Sequence, residues 1–287
     1  MNRTGLLLVV LTAVGWGSNW PMLKILIGEL PPLTARGTAG IAAGLMLAGL
    51  ALAWGQRVAV PRVIWGRLVL SATLNVCAWM GFATLGLMWL HASEAAILAY
   101  TAPIWTAIFA WPVLGERPNW QRGLALVLAL AGVGVLFGGS QLELGMDKAP
   151  GIILVLLAGM LFGLGTVLGK RMPLGLPPIT VAAWQVGLGC APLLVVGLLF
   201  EAQPWAELSG LAWFFLIWMA VVPLGLAYVT WFEALKRVPA TVAAIGTMLA
   251  PMVGVIGAAL FLGEPFGLRQ AAAIALVMGG VVLSMRR

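Results

Sequence analysis

AAILAYTAPIWTAIFAWPVLGE, residues 95–116, returns later in the chain as AAIGTMLAPMVGVIGAALFLGE, residues 243–264. Both copies begin with Ala-Ala-Ile, carry Ala-Pro in the middle and end in Leu-Gly-Glu, at an offset of 148 residues. A second match lies upstream of each copy. LPPLT at 30–34 recurs as LPPIT at 176–180, and Gly17 and Lys24 map onto Gly163 and Lys170. The chain therefore reads as a duplication, with one unit over 1–145 and the other over 146–287.

Hydropathy says what each unit contains. A helix needs about 20 mostly apolar residues to cross the hydrocarbon of a bilayer. Ten segments meet that test: 4–27, 33–54, 66–88, 93–114, 121–139, 150–171, 178–199, 210–234, 240–261 and 268–285. The breaks between them are short and marked by Pro31-Pro32, Pro61, Gly115-Glu116, Pro177-Pro178, Pro204 and Pro239. Each unit holds an odd number of spans, so the second must enter the membrane upside down. Inverted repeats are the architecture of secondary transporters, in which two related halves move around a site at mid-membrane. The expectation is an all-α integral membrane protein: ten transmembrane helices in two inverted five-helix repeats around a central cavity.

Composition agrees. Hydrophobic residues make up 62% of the 287, charged residues only 9%, and the mean hydropathy is +1.06. A soluble domain carries about 25% charged residues, so this chain has too few to cover a water-facing surface. The apolar run Leu6–Val14 follows Arg3 but lacks a small-x-small cleavage site, and reads as an uncleaved first span. With an even number of spans both ends share one face. That face and its loops collect twelve of the sixteen basic residues, whereas most acids fall on the other face. By the positive-inside rule the termini are cytoplasmic, in a bacterial inner membrane. The net charge of +7 is thus a topology signal, and no nucleic-acid partner is expected. Cys77 and Cys190 lie in apolar runs without a neighbouring thiol and read as inert buried groups.

The duplicated stretches, extended to 92–117 and 228–266, resemble the signature of EamA-type carriers of the drug/metabolite transporter superfamily. GWGSNWPMLK, residues 15–24, is similar to the start of that family's first helix. The resemblance covers the whole chain as two EamA units. It implies a basket in which helices 1, 3, 4, 6, 8 and 9 surround the cavity while 5 and 10 pack outside. Within the family, the tryptophan-rich, short-looped character is most similar to aromatic amino acid exporters of the YddG type.

Polar groups in hydrocarbon are costly unless partnered, so those at mid-depth are candidate site residues. On helix 1, Thr12, Trp16, Asn19 and Leu23 share a stripe, and Asn19 is placed either to bind a substrate or to bond a neighbouring backbone. Lys24 either binds a substrate anion or snorkels to headgroups. On helix 3, Ser71, Asn75, Trp79 and Phe82 are spaced along one face. The other cavity helices add Tyr100 and Thr101, Phe162 and Thr166, Tyr228 and Trp231, and Thr247 and Met248. Aromatic walls with a few polar groups suit a small amphiphile, by stacking or by cation–π contact. Pro21, Pro103 and Pro251 are candidate hinges or packing bends. Glu233 is either a proton-coupling carboxylate or the partner of Lys236 and Arg237.

One histidine, at a loop, and the lack of deep paired carboxylates argue against an enzyme. The sparse polar groups argue against a continuous channel lining. A carrier remains. Its expected cargo is amino acids, aromatic ones among them, or related amphiphilic metabolites, with a multidrug or organic-cation exporter as the alternative. Small-molecule substrate and membrane lipid are the expected partners, no cofactor or metal is called for, and a monomer is compatible with the pattern.

Overall fold

Proline and carboxylate signals start the helices close to where the hydropathy places them. The computed structural model describes residues 3–86, 88–90, 98–99, 101–117, 119–137, 146–254, 256 and 267–285, excluding the side chains of Trp20, Pro21, Lys24, Leu136, Phe137, Met146, Ser284 and Met285. Its helices in the first repeat are α1 (Arg3–Leu26), α2 (Pro32–Ala53), α3 (Arg62–Gly86), α4 (Ala102–Leu114) and α5 (Trp120–Phe137). Those in the second are α6 (Ala149–Arg171), α7 (Pro178–Phe200), α8 (Gly210–Leu235), α9 (Ala240–Gly254) and α10 (Leu268–Met285). Among the described residues the chain is an all-helical membrane protein of these ten helices.

Pro32 and Pro178 open α2 and α7 at the position where a missing N–H costs nothing. The remaining free amides of α2 are taken by a carboxylate from another helix end. Glu201, just past α7, accepts from Leu33 N at 3.0 Å and from Thr34 N and Oγ1 at 2.7 and 2.8 Å. Glu116, just past α4, does the same for α9, accepting from Ala240 N at 2.9 Å and Thr241 Oγ1 at 3.0 Å. An anion at a helix N-terminus satisfies orphan donors and complements the dipole. Glu29 completes the set at the start of α8, where the Ser209 amide and hydroxyl hold its carboxyl below the usual carboxylate range. Replacing Glu201 by alanine is expected to cost about 1–2 kcal/mol, seen as a lowered thermal unfolding midpoint in detergent, with glutamine recovering part of the loss.

Packing repeats as the sequence does. α2 lies along α7 and α5 along α10, while α4 packs on α6 as α9 packs on α1. The close approaches are related too. A Cβ on Gly17 would fall on the Ala250 carbonyl of α9, and one on Gly163 would stand 2.9 Å from Thr106 N of α4. Likewise a Cβ on Gly132 would stand 2.7 Å from Ala273 O, and one on Gly280 would stand 2.5 Å from Ala125 O. The two repeats use the same glycines to seat the same helix crossings.

Two kinds of irregularity interrupt the helices, each in matched pairs. α3 contains a π-helical turn over Thr73–Ala78 and α8 one over Val222–Leu226. Leu98 and Ala99 are helical ahead of α4 and separated from it by a turn at Thr101, and α9 has a turn at Met248–Leu249. Pro103 and Pro251 follow those turns, each removing the donor that would reach the carbonyl four residues back, at Ala99 and Thr247.

Candidate substrate site

All four irregular helices meet at one cavity, in the half of the molecule away from the basic face. Its aromatic walls are Trp16 of α1, Trp79 of α3, Phe162 of α6 and Tyr228 of α8. Asn19, Pro103, Pro223 and Thr247 supply polar or interrupted positions, and Arg36 of α2 supplies a charge. Ala99 and Thr247, whose carbonyls lose their helical donors, both line it.

The floor is a cluster of rings. Trp16 meets Tyr228 edge to face at 5.4 Å, Phe162 stacks on Trp231 at 5.8 Å, and Trp79 tilts onto Phe162 at 5.1 Å. The Trp16 indole N–H donates to the Pro223 carbonyl at 3.1 Å, inside the π turn of α8. Below the rings lies a second, polar vestibule that reaches the basic face. Ser71, Asn75 and Gln185 line its deep end, Lys170 and Lys236 its mouth. Asn75 Nδ2 donates to Gln185 Oε1 at 3.2 Å, and the Tyr228 hydroxyl donates to the Asn75 carbonyl at 3.4 Å. The rings thus form a partition between two chambers.

Arg36 is the residue that sequence reasoning missed. It lies one turn inside α2, at the end of the helix near the face opposite the termini. Ala42, Leu45, Gly49 and Leu52 form the lipid-exposed stripe of α2, and at 100° per residue Arg36 points away from it. The signal was hidden because α2 is apolar on all sides. The Nε of Arg36 is buried without a hydrogen-bond partner, and Arg36 makes no ion pair with any described residue. A charge in hydrocarbon costs ~2.5–3.5 kcal/mol at a helix centre, so such groups face the interior of a bundle.

The sequence profile of the EamA-like transporter family matches residues 3–138 and again 149–286. The chain belongs to this family. Among its relatives is the uncharacterized transporter YvbV of Bacillus subtilis (strain 168), 29% identical over 98% of this chain and 91% of the relative. Another is the probable amino-acid metabolite efflux pump of Salmonella typhimurium (strain LT2), 25% identical over 99% of this chain and 96% of that one. A solved crystal structure shares the fold at a TM-score of 0.87, with 21% identity and 99% of both chains covered.

In this EamA protein the residues anticipated from sequence separate into groups. Trp16, Asn19, Trp79, Phe162, Tyr228, Thr247 and the hinge candidate Pro103 come together at the cavity. Asn75 lines the vestibule instead, and Phe82 lines neither chamber. The π turn explains this, since its extra residue rotates the rest of α3 by about 100° and brings Met80 and Ala83 beside Trp79. Trp231, Thr166 and Met248 are almost fully buried behind the cavity wall. The Thr101 and Thr247 hydroxyls donate to their own helices, to Leu98 O and Ala244 O, each at 2.7 Å. Glu233 pairs with Arg237 and, at 3.6 Å, with Lys236, and lines neither chamber. Pro251 is buried beside the break in α9. Tyr100 and the side chains of Pro21 and Lys24 lie outside the described residues.

Proposed function

We propose that this EamA carrier exports amino acids, aromatic ones among them, or closely related amphiphilic metabolites, by alternating access. The observation that carries the reading is the ring partition between two chambers of different chemistry. An aromatic cavity whose described lining holds one cation and two freed carbonyls suits a zwitterion with an apolar body. A polar vestibule on the basic face suits capture from water. The paired turns in α4 and α9, next to Pro103 and Pro251, are the points at which helices bend so that the partition opens to one side at a time. The name of the Salmonella relative, an amino-acid metabolite efflux pump, supports the same cargo. The concentration of Lys and Arg on the face with the termini supports cytoplasmic termini in the inner membrane.

Organic-cation export is the competing reading, since aromatic walls also hold cations. Arg36 in the same cavity opposes it by like-charge repulsion. Counterflow in proteoliposomes separates the two. Vesicles loaded with unlabelled phenylalanine are expected to accumulate labelled phenylalanine at least tenfold over empty liposomes. Amino acids inert as cargo and competitor, with organic cations moving, would reverse the assignment. A pH gradient in the same vesicles tests Glu233, whose replacement by Gln leaves proton dependence unchanged if its ion pairs are structural.

A further inference from the structure

Arg36 combines properties that a merely structural arginine lacks. Its guanidinium cannot shed its charge at any physiological pH. Its Nε is buried without a partner, and it borders a cavity whose described lining contains no Asp or Glu. Two described acids at its end of the bundle are occupied elsewhere. Glu29 is held by Ser209, and Glu201 by Leu33 and Thr34 at the start of Arg36's own helix. A planar fork of N–H donors with no acceptor among the described residues matches one ligand group above all, a carboxylate taken side-on. The α2–α7 seam fixes the backbone that carries the fork, because Gly37 and Gly40 of α2 lie directly against Leu194 and Cys190 of α7.

We infer that Arg36 is the specificity-determining residue of the cavity, binding the carboxylate of a substrate whose apolar body lies against Trp16 and Trp79. This rests on the carrier reading and narrows it. The ligand must carry a carboxylate, its amine is dispensable, and a purely cationic amphiphile is rejected. The amine of a zwitterion would face Asn19 and the freed carbonyls of Ala99 and Thr247, neutral acceptors that add affinity without setting the class.

The test uses the full-length chain in detergent, with ligand-induced thermal stabilisation as the readout. Two triplets serve as probes: phenylalanine, 3-phenylpropionate and phenethylamine, then leucine, 4-methylvalerate and isopentylamine. In the wild type the carboxylate-bearing members of at least one triplet should bind at least tenfold more tightly than its amine. Arg36→Gln should remove that preference while leaving amine binding equal or improved, and Arg36→Lys should keep part of it. Equal binding of carboxylates to wild type and Arg36→Gln, a preference for amines, or no stabilisation by any carboxylate overturns the inference. If Arg36→Gln does not fold, the wild-type ranking and the Lys variant decide alone. Arg36-dependent carboxylate binding without counterflow would sink the carrier reading but keep the site. Counterflow indifferent to the carboxylate would do the reverse.

Discussion

Gly40→Leu is expected to abolish accumulation of folded protein, or to lower its unfolding midpoint by more than 10 °C. A Cβ at position 40 would coincide with the Cβ and Sγ of Cys190, itself fully buried. Overpacking in a core costs about 1–3 kcal/mol where side chains yield. Here the first atom added already collides, so the backbones of α2 and α7 must part. Gly37 and Gly44 sit on the same seam, against Leu194 and against Ala183 and Gly187. Gly40→Ala alone should be clearly destabilising, and Gly40→Ala with Cys190→Gly should recover most of the loss by moving the methyl across the seam. Recovery with Cys190→Gly but not with Cys190→Ala, which removes only the Sγ, locates the clash at the Cβ. A stable, wild-type-like Gly40→Leu would mean that the helices are not seated as described.

The placement of Arg36 depends on that seam, and the seam shows what the sequence could and could not tell. The glycine spacing of α2 announces close packing but not the partner, because α7 lies more than a hundred residues away. Repeats and hydropathy fixed helix number and order because both depend only on chain-local patterns. The Ala-Pro pairs likewise gave the two breaks their positions. Helix facing was harder. Asn75 and Trp79 were assigned to one stripe on the assumption of 3.6 residues per turn, and the π turn of α3 divides them between chambers. Trp231 looked like a second wall residue yet supports the first, with its ring fully buried behind Trp16 and Phe162. Glu233 had two readings, and the geometry matches the local one, an ion pair one turn along α8.

Trp16→Ala should lower both stability and counterflow by large factors, whereas Trp16→Phe should divide the two. Trp16 touches Phe162, Tyr228 and Trp231, so truncation removes the centre of the partition. Losing a well-packed tryptophan costs about 3–5 kcal/mol, part of it from ring pairs at about 0.5–1.5 kcal/mol each. With each 1.4 kcal/mol worth about tenfold in binding, losing the ring contact to substrate that the proposed reading assigns to Trp16 weakens affinity by about that factor. The alanine variant should therefore bind phenylalanine at least tenfold more weakly and pass small polar solutes that the wild type retains. Phenylalanine at position 16 restores a ring but not the N–H donated to Pro223 O. Losing that bond costs about 1 kcal/mol and leaves the π turn of α8 without its tie to α1. The expected result is a tight partition, near-normal binding and a slowed exchange step, since the tie joins the two repeats where they must move. Unchanged exchange in Trp16→Phe would show that the bond only packs α1 against α8. Full solute retention in Trp16→Ala would show that the barrier lies elsewhere, with the Asn75–Gln185 pair as the next layer toward the basic face.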